Sequence, residues 1–336
     1  MKKTLLFSGT VLLAFISLMF VFDWFSGGED IDSEPVSVDW QEEGLVGEED
    51  LFAKLEQQLG TKFFAEDEIS QANEAVIEVD EDQLLTVYEI NKETIQHPYL
   101  EKVDERLEVL QEDSDSQQLL WEMFRTLIPP SNRKYIGEFG FYTDGPDETL
   151  AYVEQLEDDP AKWAVYIDQQ DGKNLSSIFA TMIHEYAHIL SLNEEQIEVN
   201  EEAFFYGDED LIEELRMACS TLYLEEGCLR EDAYLNHFYG VFWKEQLQAQ
   251  WEDEVDQEDD DSVFAFYEQY ENQFVNDYAA TSVAEDFAET FAYFVLQPKS
   301  TNDRKEKILF FYEYPELVQL REQILNGIQQ FLSKES

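Results

Sequence analysis

Basic residues are scarce in this chain. Against 76 Asp and Glu stand only 21 Lys and Arg, giving a formal net charge of -55 and an isoelectric point near 4.1. So acidic a surface repels phosphates, which excludes a generic nucleic-acid or anionic-membrane binder. The acidity is spread along the whole chain and marks no single site, so it reads as adaptation to salty or alkaline surroundings rather than as selection of basic substrates. Cysteine is nearly absent too. Cys219 and Cys228 are too few for a disulfide scaffold or a cysteine-rich zinc finger and leave room for one bridge, across the turn at Gly227. The acidic run at 252–261 lacks EF-hand spacing and reads as a solvated loop. No internal repeat is present. What the chain does have is 336 residues, 44% hydrophobic and 14% aromatic, ample for one large domain or two modest ones.

The amino terminus is directed to a membrane. Lys2 and Lys3 precede an apolar run, residues 5–22, that holds no charge and is interrupted only by Ser8, Gly9, Thr10 and Ser17. Its length lies between a signal-peptide core and the ~20 residues of a spanning helix. With no A-x-A site and no lipobox cysteine after it, residues 1–25 read as a signal peptide or an N-terminal membrane anchor. Asp23, Glu29, Asp30, Asp32 and Glu34 follow the run, so the orientation is N-in and C-out. The rest of the chain is expected outside the cytoplasm, anchored to the cell membrane or secreted. Residues 26–85 form an acidic juxtamembrane segment with one helical stripe at Leu51, Phe52, Leu55 and Leu59, and residues 86–336 form the folded domain.

Patterning sharpens inside that domain. Residues 116–127 (SQQLLWEMFRTL) predict a helix closed by Pro129-Pro130, and residues 135–142 (YIGEFGFY) predict a strand. Residues 147–156 predict a second helix, capped by Asp144 or Pro146, and residues 163–167 (WAVYI) a second strand. Beyond Gly172 comes a strongly apolar helix over 175–192, and the remainder is mainly helical, with breaks at Gly227, 252–261 and Pro298 and a last helix near 317–332. The class is α+β: a small mixed sheet packed on the 175–192 helix, followed by a mainly helical C-terminal half.

That helix carries His184-Glu185-Tyr186-Ala187-His188, an H-E-x-x-H match. Residues four apart share a helix face, so both imidazoles can reach one ion while Glu185 sits beside them to handle its water. With only four histidines in the chain, chance makes this match about once in a hundred sequences or less. A catalytic zinc site takes three protein ligands. The metzincin extension fails, because Ser191 and Glu194 stand where a glycine and a third histidine are required. Glu194 or Glu195 folding back is a poor candidate without a glycine to turn the chain. Glu285 and Glu289 are better placed, because they share a face of the helix anchored by Phe287, Phe291, Phe294 and Val295. Glu285 can ligate, and Glu289 can orient a histidine from behind.

H-E-x-x-H with a later E-x-x-x-E helix, preceded by a tyrosine seven positions before its first glutamate, resembles the gluzincin peptidases, most closely the protease domain of anthrax lethal factor. The resemblance covers about residues 135–332. It implies one Zn2+ per chain on His184, His188 and Glu285, with Glu185 as general base, Glu289 behind the ligands and Tyr278 as a transition-state donor. It makes residues 86–336 a zinc metallopeptidase domain acting on a peptide or protein substrate. Because Glu285 lies 97 positions after His188, residues 189–276 are expected to be a helical insertion between the two motifs. Strand 163–167 is either the edge on which such enzymes align an extended peptide or an ordinary buried strand. The competing class is a catalytically silent, membrane-anchored binding or sensory module, which has no need of Glu185 or Tyr278.

Overall fold

The computed structural model describes residues 47–64, 77–79, 81–145, 149–171, 174–257, 259–299 and 305–335. The apolar run at 5–22, with its anchor or signal-peptide reading, lies outside them. Among the described residues no helix is long and apolar enough to cross a membrane.

Helix α1 (Glu48–Leu59) precedes strands β1 (Gln83–Asn91) and β2 (Thr94–Leu100), a short helix α2 (Glu108–Gln111) and helix α3 (Ser114–Leu127). Asp113 caps α3 by accepting from the Ser116 N–H, and the helix stops ahead of Pro129. Next come β3 (Ile136–Thr143), β4 (Ala151–Leu156) and β5 (Asp159–Asp168), and then α4 (Leu175–Leu192). The five strands form one sheet in the order β2-β1-β3-β5-β4, antiparallel except for the β3–β5 pair. Alternation along β3 gives the sheet two aromatic faces. Phe139 meets Trp121 and Phe124 of α3, with ring centroids 5.2 and 5.3 Å apart. On the other face Tyr152 stacks on Tyr166 at 4.7 Å. Gly140 makes room for that layer, since a Cβ there would lie 2.3 Å from the Tyr166 ring.

After α4 the chain forms β6 (Ile197–Glu198), α5 (Glu201–Tyr206), α6 (Glu209–Ala218), β7 (Tyr223–Leu224) and β8 (Gly227–Leu229). The three short strands make a second sheet, β6-β8-β7. Helices α7 (Tyr234–Phe242), α8 (Gln248–Glu254), α9 (Asp260–Tyr270), α10 (Val283–Leu296), α11 (Lys305–Tyr312) and α12 (Pro315–Glu335) complete the chain. The mixed sheet and helical C-terminal half are therefore those expected. The stretch 189–276 contains five whole helices, α5 to α9, the end of α4 and the second sheet, so it is not helical throughout. The bridge expected across Gly227 is formed: Cys219 and Cys228 are disulfide-bonded, with Cα atoms 5.7 Å apart.

One expectation is corrected and one open alternative is decided. Residues 151–156 are a strand, not the end of a helix. Tyr152 and Val153 point to opposite faces of the sheet, one into the Tyr142–Tyr166 layer and the other onto the main core, and pairing with β5 from Ala151↔Ile167 to Gln155↔Trp163 decides it. Asp144 accepts from the Thr149 N–H at 3.1 Å, just ahead of β4. Of the two readings of strand 163–167, the structure selects the ordinary internal strand, because it lies inside β5, which has a partner on each side. Beside it, β4 forms one edge of the sheet, and β2 forms the other.

Residues 48–59, grouped by sequence with the spacer, pack on the domain. Leu51, Phe52 and Leu55 are buried, and α1 lies against α12. The link is ionic. Arg321 of α12 is fully buried, its guanidinium donates to the Phe294 and Gln297 carbonyls at the end of α10, and Glu48 pairs with it. Removing one partner of a buried pair strands the other charge. Glu48→Ala is expected to lower unfolding free energy by about 3–5 kcal/mol in urea titration, and Glu48→Gln, which keeps an acceptor for the guanidinium, to lower it less. A loss below about 1 kcal/mol in Glu48→Ala would mean that α1 is not anchored this way.

Candidate metal centre

Two capped helices hold the site. Asn174 opens α4 by accepting from the N–H groups of Ser176 and Ser177 at 3.0 and 3.3 Å, and most of the helix is buried. Ser282 opens α10 by accepting from the Glu285 N–H at 3.1 Å. Ser282 and Glu285 have capping-box spacing, yet the Glu285 carboxylate turns to the histidines instead of back to the cap. Helix α10 packs along α4. Behind Glu285, Asp286 is fully buried and accepts from Trp243 Nε1 at 2.7 Å and pairs with Lys307. This fixes the rotation of α10 and with it the direction of Glu285.

The structure brings His184, His188 and Glu285 together. Nε2 of His184 lies 3.1 Å from Nε2 of His188 and 3.1 Å from Glu285 Oε2, and the third side of the triangle is 3.4 Å. Four ligands placed tetrahedrally at the 2.0–2.1 Å of zinc–nitrogen and zinc–oxygen bonds are separated by about 3.3 Å. The triangle has that size. Glu285 Oε2 is buried and faces the two imidazole Nε2 atoms without a well-aligned hydrogen bond, an arrangement that a cation between the three atoms would complete. The donor set and the placement of this oxygen thus both fit a metal ion, and the three residues form a buried group able to bind one.

The surrounding residues tune this group. Glu289 Oε1 lies 2.7 Å from His184 Nδ1, a contact that directs the lone pair of Nε2 to the centre. Glu289 is itself held by Asn276, whose amide donates to Oε2 at 2.7 Å. Nothing in the sequence pointed to Asn276, which lies outside both motifs. Burial disfavours the charged form of both histidines, but Glu289 and Glu285 beside His184, and Glu285 beside His188, more than offset it and raise their pKa. Burial likewise opposes ionisation of Glu285, and the two imidazoles overcome it, holding the carboxyl well below the usual range. Glu185, 4.0 Å from His184 Nε2, is pushed up to about 7 by burial against the pull of both histidines.

Tyr278 lies in a single 3-10 turn, Tyr278–Ala280, fixed by Asp277 and Asn276 accepting from the N–H groups of residues 278 and 279. Its ring centroid is 5.8 Å from that of His184. Burial, reinforced by the Glu285 and Glu185 charges, raises its hydroxyl well above the ordinary value, so it stays a proton donor. His184, Glu185, His188, Tyr278, Glu285 and Glu289 all line one cleft of about 380 Å³, bordered by Ala151 to Val153 of β4. The rejected candidates lie elsewhere: Glu194 is exposed, and Glu195 pairs with Lys134 at 2.8 Å. A second carboxylate group, Asp144, Asp168 and Asp171, serves the backbone. Asp168 accepts from the N–H groups of Asp144 and Asp171 at 3.0 and 3.2 Å.

The chain matches no model of a known protein family, no curated protein and no solved structure.

Loss of a ligand should abolish binding, whereas loss of an orienting group should only weaken it. The wild-type protein is expected to retain about one equivalent of zinc in elemental analysis, and His184→Ala, His188→Ala and Glu285→Ala are each expected to lose it. Glu289→Gln is expected to keep zinc with affinity reduced about 10–100-fold in a chelator competition. Full occupancy in any of the three ligand variants would refute the assignment.

Proposed function

We propose that this chain is a gluzincin-type zinc endopeptidase working outside the cytoplasm, held there by residues 1–25 or released, with peptides or proteins as substrate and no nucleic-acid partner. The observation that carries this reading is the triangle of His184, His188 and Glu285 with Glu185 and Tyr278 on the same cleft. A structural zinc would close its shell with a fourth protein ligand, commonly cysteine, and both cysteines are committed to a disulfide. That disulfide also agrees with an oxidising compartment.

Zinc bound by two neutral imidazoles and one carboxylate supplies a Lewis acid that makes water a nucleophile near neutral pH. Glu185 takes the proton of the attacking water and later passes it to the leaving amine. Its environment suits both steps, because burial, only partly opposed by the two histidines, brings the carboxyl up to about 7, near the working pH. Tyr278 donates its hydroxyl hydrogen to the oxygen that gains charge as the carbonyl carbon becomes tetrahedral. Among the described residues strand β4 pairs with β5 alone, and it borders the cleft, so its other edge can align an extended peptide by backbone hydrogen bonds.

The test is incubation of the purified full-length protein with a mixed peptide library, followed by mass spectrometry of new termini. New termini are expected with zinc, and none with a chelator or in a Glu185→Gln variant that retains its zinc. Tyr278→Phe keeps the ring and should keep zinc and fold while kcat falls about a hundredfold. Turnover that survives Glu185→Gln would sink the proposal.

A further inference from the structure

A second and larger chamber, about 750 Å³, lies beside the metal cleft and contains none of the ligands or catalytic groups. Its roof includes Phe204 of α5 and Ile212 of α6; Trp243, Trp251 and Val283 contribute to its floor. The roof is poorly supported by the rest of the fold. Neither α5 nor α6 has a buried residue, and neither packs extensively on another element among the described residues. Leu211, Ile212 and Leu215 of α6 recur at helical spacing but are only half-buried. An amphipathic helix left with its apolar stripe part-covered above a cavity lacks a partner. The pair is fastened at its ends, by β6 ahead of α5 and by the Cys219–Cys228 disulfide after α6.

What fills the space is indicated by where it leads. Leu224, Glu225, Glu226, Gln257 and Ser282 line both the chamber and the metal cleft, so a chain crossing the metal centre passes the β7–β8 turn into the chamber. Its volume is in the range of sites that enclose a compact ligand, roughly 300–1,000 Å³. Around the aromatic floor stand Glu225, Glu226 and Glu252 against a single Arg216, which disfavours an anionic occupant.

We propose that this chamber is a substrate-recognition subsite that takes a large apolar side chain of the peptide, such as Phe, Trp or Leu, some residues away from the bond at the metal. The proposal rests on the peptidase reading for its occupant. Burying such a side chain favours it over a charged one by about tenfold or more in affinity. Residues 189–276 would then set sequence preference, and the disulfide would hold the roof over the cleft.

The experiment uses the full-length Glu185→Gln protein loaded with zinc, so that binding is read without turnover. Fluorescein-labelled 12-residue peptides of Gly, Ser and Lys carry a single Phe walked through the sequence, or a single Asp in the same places. Fluorescence anisotropy is expected to show, at one or two positions, binding about tenfold or more tighter for Phe than for Asp. Adding Ile212→Glu or Phe204→Asp should remove that difference; both residues are at least partly exposed, and thermal melting checks that each variant folds. Equal binding of the two sets at every position, or a preference that survives both substitutions, overturns the chamber. The two readings separate cleanly. A Phe preference lost with Ile212→Glu, in a protein whose zinc-loaded wild type cleaves none of these peptides or the library, keeps the chamber and rejects the peptidase. Cleavage of the library with no Phe preference does the reverse.

Discussion

The packing of α10 on α4 is the constraint on which the rest of this structure depends. It forces two imidazoles and a carboxylate into a triangle about the size of a single ion's coordination sphere, with Glu285 Oε2 buried against both Nε2 atoms. An arrangement of this kind is unfavourable alone, since each group gives up water without gaining a full partner. Much of the surrounding architecture can be understood as holding it in place. Asp286, with Trp243 and Lys307, fixes α10 from behind, and Arg321 gathers the carbonyls at its far end while tying in α1. Aromatic packing of Phe287, Phe291 and Phe294 against Phe311 fills the space between α10 and α11.

The same packing sorts the carboxylates by role. Glu285 is kept ionised by the histidines, Glu289 faces the back of His184 and is steadied by Asn276, and Glu185 is left near neutrality in its titration. Three glutamates in one cleft thus differ by environment alone, the means by which acid and base duties are divided in hydrolytic sites. The general acidity of the chain contributes little to this, because the decisive charges are buried and within a few ångströms of one another.

Local chemistry was legible in the sequence and long-range placement was not. His184 and His188 could be read as one face because four residues make a helical turn, and Glu285 with Glu289 likewise. The stripe of Leu51, Phe52 and Leu55 announced a helix, but its partner on α12 is more than 250 residues away and nothing local names it. Strand β4 was misread because a six-residue segment with few apolar positions fits either period, and only the β5 ladder resolves it. That β5 is internal is a property of sheet order, which no single strand's composition carries. Asn276 and the chamber under α5 and α6 were invisible for the same reason: each exists only through contacts between segments distant in the chain.

The central claim is that His184, His188 and Glu285 hold one zinc ion with a position open to solvent. X-ray absorption at the zinc edge, on the full-length protein loaded with one equivalent, tests it most directly. The account predicts two imidazole nitrogens and two oxygen donors at about 2.0–2.1 Å, one oxygen from Glu285 and one exchangeable with solvent. A shell containing sulfur at about 2.3 Å, or one with no imidazole scattering, would contradict it.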